Sequence, residues 1–180
     1  MTAPLLKIGF PPIASVGARI LVLGSLPGDK SIQQQQYYGH PQNQFWRIVA
    51  AVYGRPALDT YAAKLEFLKA HDIAVWDVLA RAERAGSLDT AIRHGVPNDI
   101  RRLLNEHPGI RSIALNGHKA HGLFQRHFGQ AIRDVARPLT TACLPSTSPA
   151  ATRSFGEKVR EWEAFLRNTS SDTHSTTWPS

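Results

Sequence analysis

Four short apolar runs, Arg19 to Leu23, Ile73 to Trp76, Ser112 to Leu115 and Thr141 to Leu144, punctuate this chain. None shows the strict alternation of a half-exposed strand, so the pattern predicts strands covered on both faces of a parallel sheet. Between them the apolar positions change period. Phe45, Ile48, Val49 and Val52 recur at helical spacing, as do Tyr61, Leu65 and Leu68. Asn98 stands as a predicted N-cap ahead of Ile100, Leu103 and Leu104. Ser154 and Glu157 form a capping-box pattern before Phe155, Val159, Trp162 and Leu166. Strands alternating with helices predict an α/β three-layer domain over residues 1–167, with the polar tail 168–180 disordered. The glutamines at 33–36 predict an exposed helix or loop.

Ligands in such sheets bind at the carboxyl ends of the strands. The segments after each strand therefore converge on one crevice: Gly24 to Gly28, Asp77 to Leu79, Asn116 to His118, and Pro145 to Ala150. The first is the most informative. Leu23 runs into a tight turn, Gly24, Ser25, Leu26, Pro27 and Gly28, followed by Tyr37, Tyr38, His40 and Asn43. Glycines there expose backbone N–H groups to an anion, and the rings beyond can stack on a flat ligand. A nucleotide offers both chemistries.

Composition narrows the partners. At 180 residues the chain fits one domain, and its net charge of +7 favours polyanions, nucleic acid first. Cys143 is the single cysteine, which excludes an internal disulfide and any multi-cysteine metal site. With no long apolar run, the expectation is a cytoplasmic protein without membrane contact. His118 and His121 share helical spacing, but no neighbouring carboxylate or cysteine completes a metal site, and none is expected.

A triphosphate-binding loop is the first function to weigh. Residues 24–31 approach G-x-x-x-x-G-K-[ST], and Asp77 resembles a magnesium ligand at a strand end. One residue is missing between the glycines, however, and Asp29 replaces the glycine before Lys30, where its charge would repel a triphosphate.

A second pattern covers residues 9 to 166. Gly24 to Gly28, the run Tyr37 to Trp46 and the run Leu144 to Ala150, supported by Gly9 to Ile13, Gly86 to Asp89 and Asn116 to Ala120, resemble the uracil-DNA glycosylase superfamily, and within it the hypoxanthine (deoxyinosine) branch. The resemblance implies a four-stranded, mostly parallel sheet between helices. It also implies a cofactor-free, monomeric enzyme that flips deaminated nucleotides out of DNA and hydrolyses the N-glycosidic bond. Two groups familiar in other branches are absent: Leu26 replaces a water-positioning asparagine, and Leu144 replaces a histidine.

By the same resemblance Asn43 is the catalytic residue, with an N-cap for a helix beginning at Gln44 as its structural alternative. Tyr38, with Tyr37, His40, Phe45 and Asn116 around it, lines the base pocket; packing in the core is the competing role for Tyr38. Asp77 reads the base edge, or else caps a following helix. Ser146 and Ser148 touch the DNA backbone or support the wedge that fills the gap left by the flipped base, with Pro149 and Ala150 as a small, stiff tip suited to that task, and Ser31, Lys119 and Arg153 are further DNA contacts. Hypoxanthine is favoured over uracil. A DNA-binding module without turnover is the alternative from another class.

Overall fold

The computed structural model describes residues 5–88, 91–130, 132 and 135–170. Its centre is a four-stranded parallel sheet of order β3-β2-β6-β7, built from β2 (Ile20–Gly24), β3 (Ile73–Asp77), β6 (Ser112–Asn116) and β7 (Thr140–Leu144). All four apolar runs are these strands, displaced by at most one residue at either end.

Residues along β2 alternate between two cores. Leu21 and Leu23 join Ile113 and Leu115 in one, under α4 (Ile100–Glu106) and α5 (His118–Phe128). Ile20 and Val22 join Ala114 and Val75 in the other, under α2 (Phe45–Val52) and α6 (Phe155–Ser170). An exposed α1 (Asp29–Gln34) and α3 (Tyr61–Ala70) complete the helices of the described chain. Both faces of β2 are thus buried, which is why its apolar run is unbroken.

A second sheet was not foreseen. Strands β1 (Leu5–Ile8), β4 (Leu79–Arg84) and β5 (Arg93–Pro97) form an antiparallel sheet of order β1-β4-β5. Their sequences carry Lys7, Arg81, Glu83, Arg84 and Gly95, so neither an apolar run nor clean alternation marks them. Pairing of Leu5 with Arg84 makes the strands, a long-range contact that local sequence cannot announce.

Helix boundaries need two corrections. The N-cap of α4 is Asp99, whose side chain accepts the Arg102 N–H, while Asn98 donates through Nδ2 to the Asp77 carbonyl, 2.9 Å away. Helix α2 begins at Phe45 rather than Gln44. The capping box of α6 is present: Ser154 Oγ accepts from Glu157 N, and Glu157 Oε2 accepts from Ser154 N. That helix continues to Ser170, into the stretch expected to be disordered; residues 171–180 lie outside the described residues.

In the sheet order the chain steps from β2 to its neighbour β3, then crosses to β6 on the other side of β2. The carboxyl ends of β2 and β6 are therefore a topological switch point, where connections leave in opposite directions and open a crevice.

Candidate active site

A cavity of about 550 Å³ occupies that crevice. All of loop 24–28 lines it, with Asp77 from the end of β3, Asn116 from the end of β6 and residues 146–151 after β7. Ser31, Tyr37, Tyr38, His40 and Asn43 complete the wall among the residues singled out by sequence. Phe45, Lys119 and Arg153 are not in it. Phe45 is fully buried behind Tyr38, and Arg153 pairs with Glu161.

Asn43 holds one end of its amide fixed. Oδ1 accepts the Phe45 backbone N–H at 2.9 Å, satisfying a donor at the start of α2. Only the oxygen can accept that bond, so the amide orientation follows from chemistry. Nδ2 has no protein partner among the described residues, which leaves it as a donor for a ligand in the cavity. The helix-end role and the site role are thus two ends of one side chain.

Tyr38 packs on Phe45 with ring centroids 4.1 Å apart and planes 32° apart. Its backbone φ of 53° lies in the left-handed region, rare for a tyrosine and a local cost that the surrounding contacts must hold. Tyr37 is nearly enclosed. Its hydroxyl donates to the Phe10 and Pro11 carbonyls, and its own carbonyl accepts Trp46 Nε1–H at 3.0 Å. Burial first, then the nearby Asp77 carboxylate, raises the Tyr37 phenol above the usual tyrosine range, so it stays protonated. His40 accepts the Gln42 N–H at Nδ1, which places the proton of the neutral ring on Nε2.

Asp77 is 4% exposed. The next element in the chain is the strand β4, so Asp77 caps no helix. A Cβ on Gly24 would run into Asp77 Oδ1 and stand 3.4 Å from Tyr38 Oη, so glycine at 24 is what lets the carboxylate approach the β2 turn. Gly24→Ala is accordingly expected to slow single-turnover chemistry about tenfold or more, since displacements near 1 Å at a reacting centre are costly; an unchanged rate would show that the carboxylate position is immaterial.

The wall after β7 is held by a reciprocal pair. Asn116 Nδ2 donates to Thr147 Oγ1, and Thr147 N donates to Asn116 Oδ1, both at 2.9 Å. The Thr147 carbonyl accepts Gln44 N–H, tying this loop to the segment that carries Asn43. Trp162 Nε1 donates to the Pro145 carbonyl. Within the loop, Ser146 Oγ accepts from Ser148 N, and Ser148 Oγ accepts from Ala150 N. Ser31, 6% exposed, accepts the Gly39 N–H, which makes it a tether for the turn between Tyr38 and His40.

Lys30, Arg84, Ser87, Leu88, His118 and Thr147 also stand in the wall; sequence reasoning put His118 and Thr147 in the segments at the crevice but gave none of the six a role in the base site. Arg84 is 1% exposed, and its guanidinium donates to the carbonyls of Leu26 and Pro27. This buried cation comes from the antiparallel sheet, and no local pattern marked it. His118 lies 3.6 Å from Cys143 Sγ through Nδ1. Burial raises the Cys143 thiol, so it is not poised as a thiolate nucleophile.

The family model of the uracil DNA glycosylase superfamily matches residues 11–168. The chain belongs to that superfamily. Among its relatives is a hypoxanthine DNA glycosylase of Methanosarcina acetivorans, 39% identical over 165 residues, covering 91% of this chain and all of the relative. Another, from Methanosarcina barkeri, is 37% identical over 163 residues, covering 89% and 99%. The solution NMR structure of a Methanosarcina acetivorans protein assigned as a uracil DNA glycosylase superposes with a TM-score of 0.78 at 39% identity, spanning 92% of this chain and 99% of that one. Superfamily and fold therefore stand as the motifs implied. The two replaced positions also have a place in this glycosylase fold: Leu26 and Leu144 are 5% and 6% exposed, and both side chains belong to the cores.

Proposed function

We propose that this chain is a monofunctional DNA glycosylase that excises deaminated bases, hypoxanthine ahead of uracil. The observation that supports it most is Asn43: an amide locked through its oxygen, with its donor left to a cavity that also holds Tyr38 and Asp77. Relatives over nearly the whole chain that are named hypoxanthine DNA glycosylases support the choice of base.

The base enters the cavity extruded from the duplex and stacks on Tyr38, whose back is held by Phe45. As the C1′–N bond breaks, positive charge grows on the sugar and negative charge on the base. Nδ2 of Asn43 donates to the departing base, and the buried Arg84 guanidinium favours the same negative charge. Water adds to C1′ and gives up a proton to solvent, the departing base anion takes one up, and an abasic site and the neutral free base remain. Asp77 accepts the N1–H that hypoxanthine carries and adenine lacks. No cofactor or metal takes part in this reading, and the enzyme acts as a monomer on DNA in the cytoplasm. No helix of the described residues is long and apolar enough to cross a membrane.

Oligonucleotides carrying one deoxyinosine or one deoxyuridine, treated with alkali after incubation, test the reading. Faster cleavage at inosine is expected; cleavage at uracil alone would reverse the substrate. Lys30 lies in the cavity wall, which makes a Schiff-base route the alternative to exclude. Borohydride added during turnover should trap no protein–DNA adduct, and a trapped adduct would replace water with a lysine nucleophile.

A further inference from the structure

The turn between Tyr38 and Asn43 brings one more side chain into the cavity wall, the half-buried His40. Three hydrogen bonds fix this turn. The Gly39 N–H donates to Ser31 Oγ at 3.0 Å, and the Asn43 N–H donates to the His40 carbonyl at 2.9 Å. The Gln42 N–H donates to His40 Nδ1 at 3.1 Å. That last bond occupies the one acceptor of the neutral imidazole, and the proton on Nε2 meets no protein acceptor among the described residues. His40 is therefore built like Asn43: one end of the side chain is held by backbone, and a donor is left to the cavity.

Two observations orient a base against that donor. The Tyr38 ring runs from the turn toward the end of β3: its hydroxyl stands 3.4 Å from where a Gly24 Cβ would lie, and the same Cβ would run into Asp77 Oδ1. The other end of the turn meets the far side of the crevice, because the Gln44 N–H donates to the carbonyl of Thr147, beyond β7. Strands β3 and β7 are the two edges of the sheet. A base stacked on Tyr38 thus has the Asp77 carboxylate at one end and His40 with Asn43 at the other.

Hypoxanthine placed with its N1–H on Asp77 turns its imidazole ring toward His40. N9 of that ring carries the sugar, so N7 is the ring's one acceptor. As the C1′–N9 bond breaks, negative charge spreads over both nitrogens, and a donor on N7 binds more strongly in the transition state than before it. Adenine has the same N7. Uracil has no corresponding atom.

We infer that His40 Nε2–H donates to N7 of the flipped purine, so that His40 sets purine against pyrimidine while Asp77 selects hypoxanthine among purines. This rests on the glycosylase reading above. The imidazole keeps its proton and stays neutral throughout; the departing base takes up its own proton from solvent. His40 is then a catalytic residue for purine release, acting on the leaving group from the turn that carries Asn43.

His40→Asn separates the two ends of the side chain. Its Oδ1 can still accept the Gln42 N–H, two residues on, while its shorter amide places no donor where Nε2 stands. Single-turnover release from deoxyinosine should fall about a hundredfold, the loss expected for one donor to a developing anion. On 7-deaza-2′-deoxyinosine, which carries C–H in place of N7, the substitution should add no further loss. Equilibrium binding to duplexes holding the 2′-fluoroarabino form of either nucleotide, whose glycosidic bond resists cleavage, reads the contact without chemistry and decides where the 7-deaza substrate turns over too slowly. His40→Asn should weaken the inosine duplex about fivefold, as one net hydrogen bond implies, and leave the 7-deaza duplex at wild-type affinity. Equal weakening of both duplexes, as a phosphate contact or a displaced turn would give, would overturn the assignment. So would wild-type affinity for the inosine duplex, or wild-type release of hypoxanthine. A wild type that releases neither hypoxanthine nor uracil would sink the glycosylase reading instead, and the binding comparison would still decide the contact with N7.

Discussion

Asn43→Asp is expected to keep its fold and lose base release. The aspartate retains an oxygen for the Phe45 N–H and adds negative charge at the start of α2, where the helix dipole favours it. It removes the Nδ2 donor and puts repulsion where the departing base becomes negative. Loss of one donor to a developing anion costs roughly 10²–10³ in rate, and the added repulsion works in the same direction. Asn43→Ala should match that loss and also destabilise the protein by about 1 kcal/mol, because it leaves the Phe45 N–H without its side-chain acceptor. Thermal unfolding and single-turnover rates measured on both variants separate the two roles. An active Asn43→Asp would reduce Asn43 to a helix-end residue and move catalysis elsewhere.

Asp77→Ala should impair the choice of base far more than the grip on DNA. In the proposed reading Asp77 is a buried acceptor facing N1, which would reward hypoxanthine, whose N1 carries a proton, and meet a lone pair on adenine. Sites that hydrogen-bond a distinguishing group reject analogues lacking it by about 10⁴ or more, whereas shape alone yields about 10². Discrimination between deoxyinosine and deoxyadenosine should therefore drop about a hundredfold. Affinity for undamaged duplex should hold within about threefold, because phosphate contacts carry most non-specific binding. Competing release rates measure the first quantity and equilibrium titration the second. Unchanged discrimination would remove Asp77 from base reading. Gly24→Ala provides a related check, since its Cβ would push on the same carboxylate without removing it.

The parallel sheet was legible because each of its strands is apolar on both faces, and that demand is written locally. The converging loops followed from the rule that such strands open at their carboxyl ends, and Asp77, Asn116 and Ser146 do share one cavity. The antiparallel sheet was not legible. Arg84 in β4 reads as a surface charge, yet it is 1% exposed and holds two carbonyls of the β2 turn. Lys7 reads the same way, yet it is 6% exposed and bonds both Asp29 and Gly86. Both cations are buried by strands and loops that lie far away in sequence. Phe45 shows the converse: its motif suggested contact with the base, while packing places it behind Tyr38.

By itself the sequence determined the elements that burial makes periodic, the superfamily and the identity of the chemical groups at the strand ends. Tertiary structure alone decided which atoms of those groups remain for a ligand. The Asn43 oxygen is taken by the Phe45 N–H, the Asn116 amide is taken by Thr147, and the Ser31 hydroxyl is taken by Gly39. The physical reason is that a polar atom becomes available only after nearby backbone donors and acceptors have been satisfied, and those neighbours are assigned by the fold.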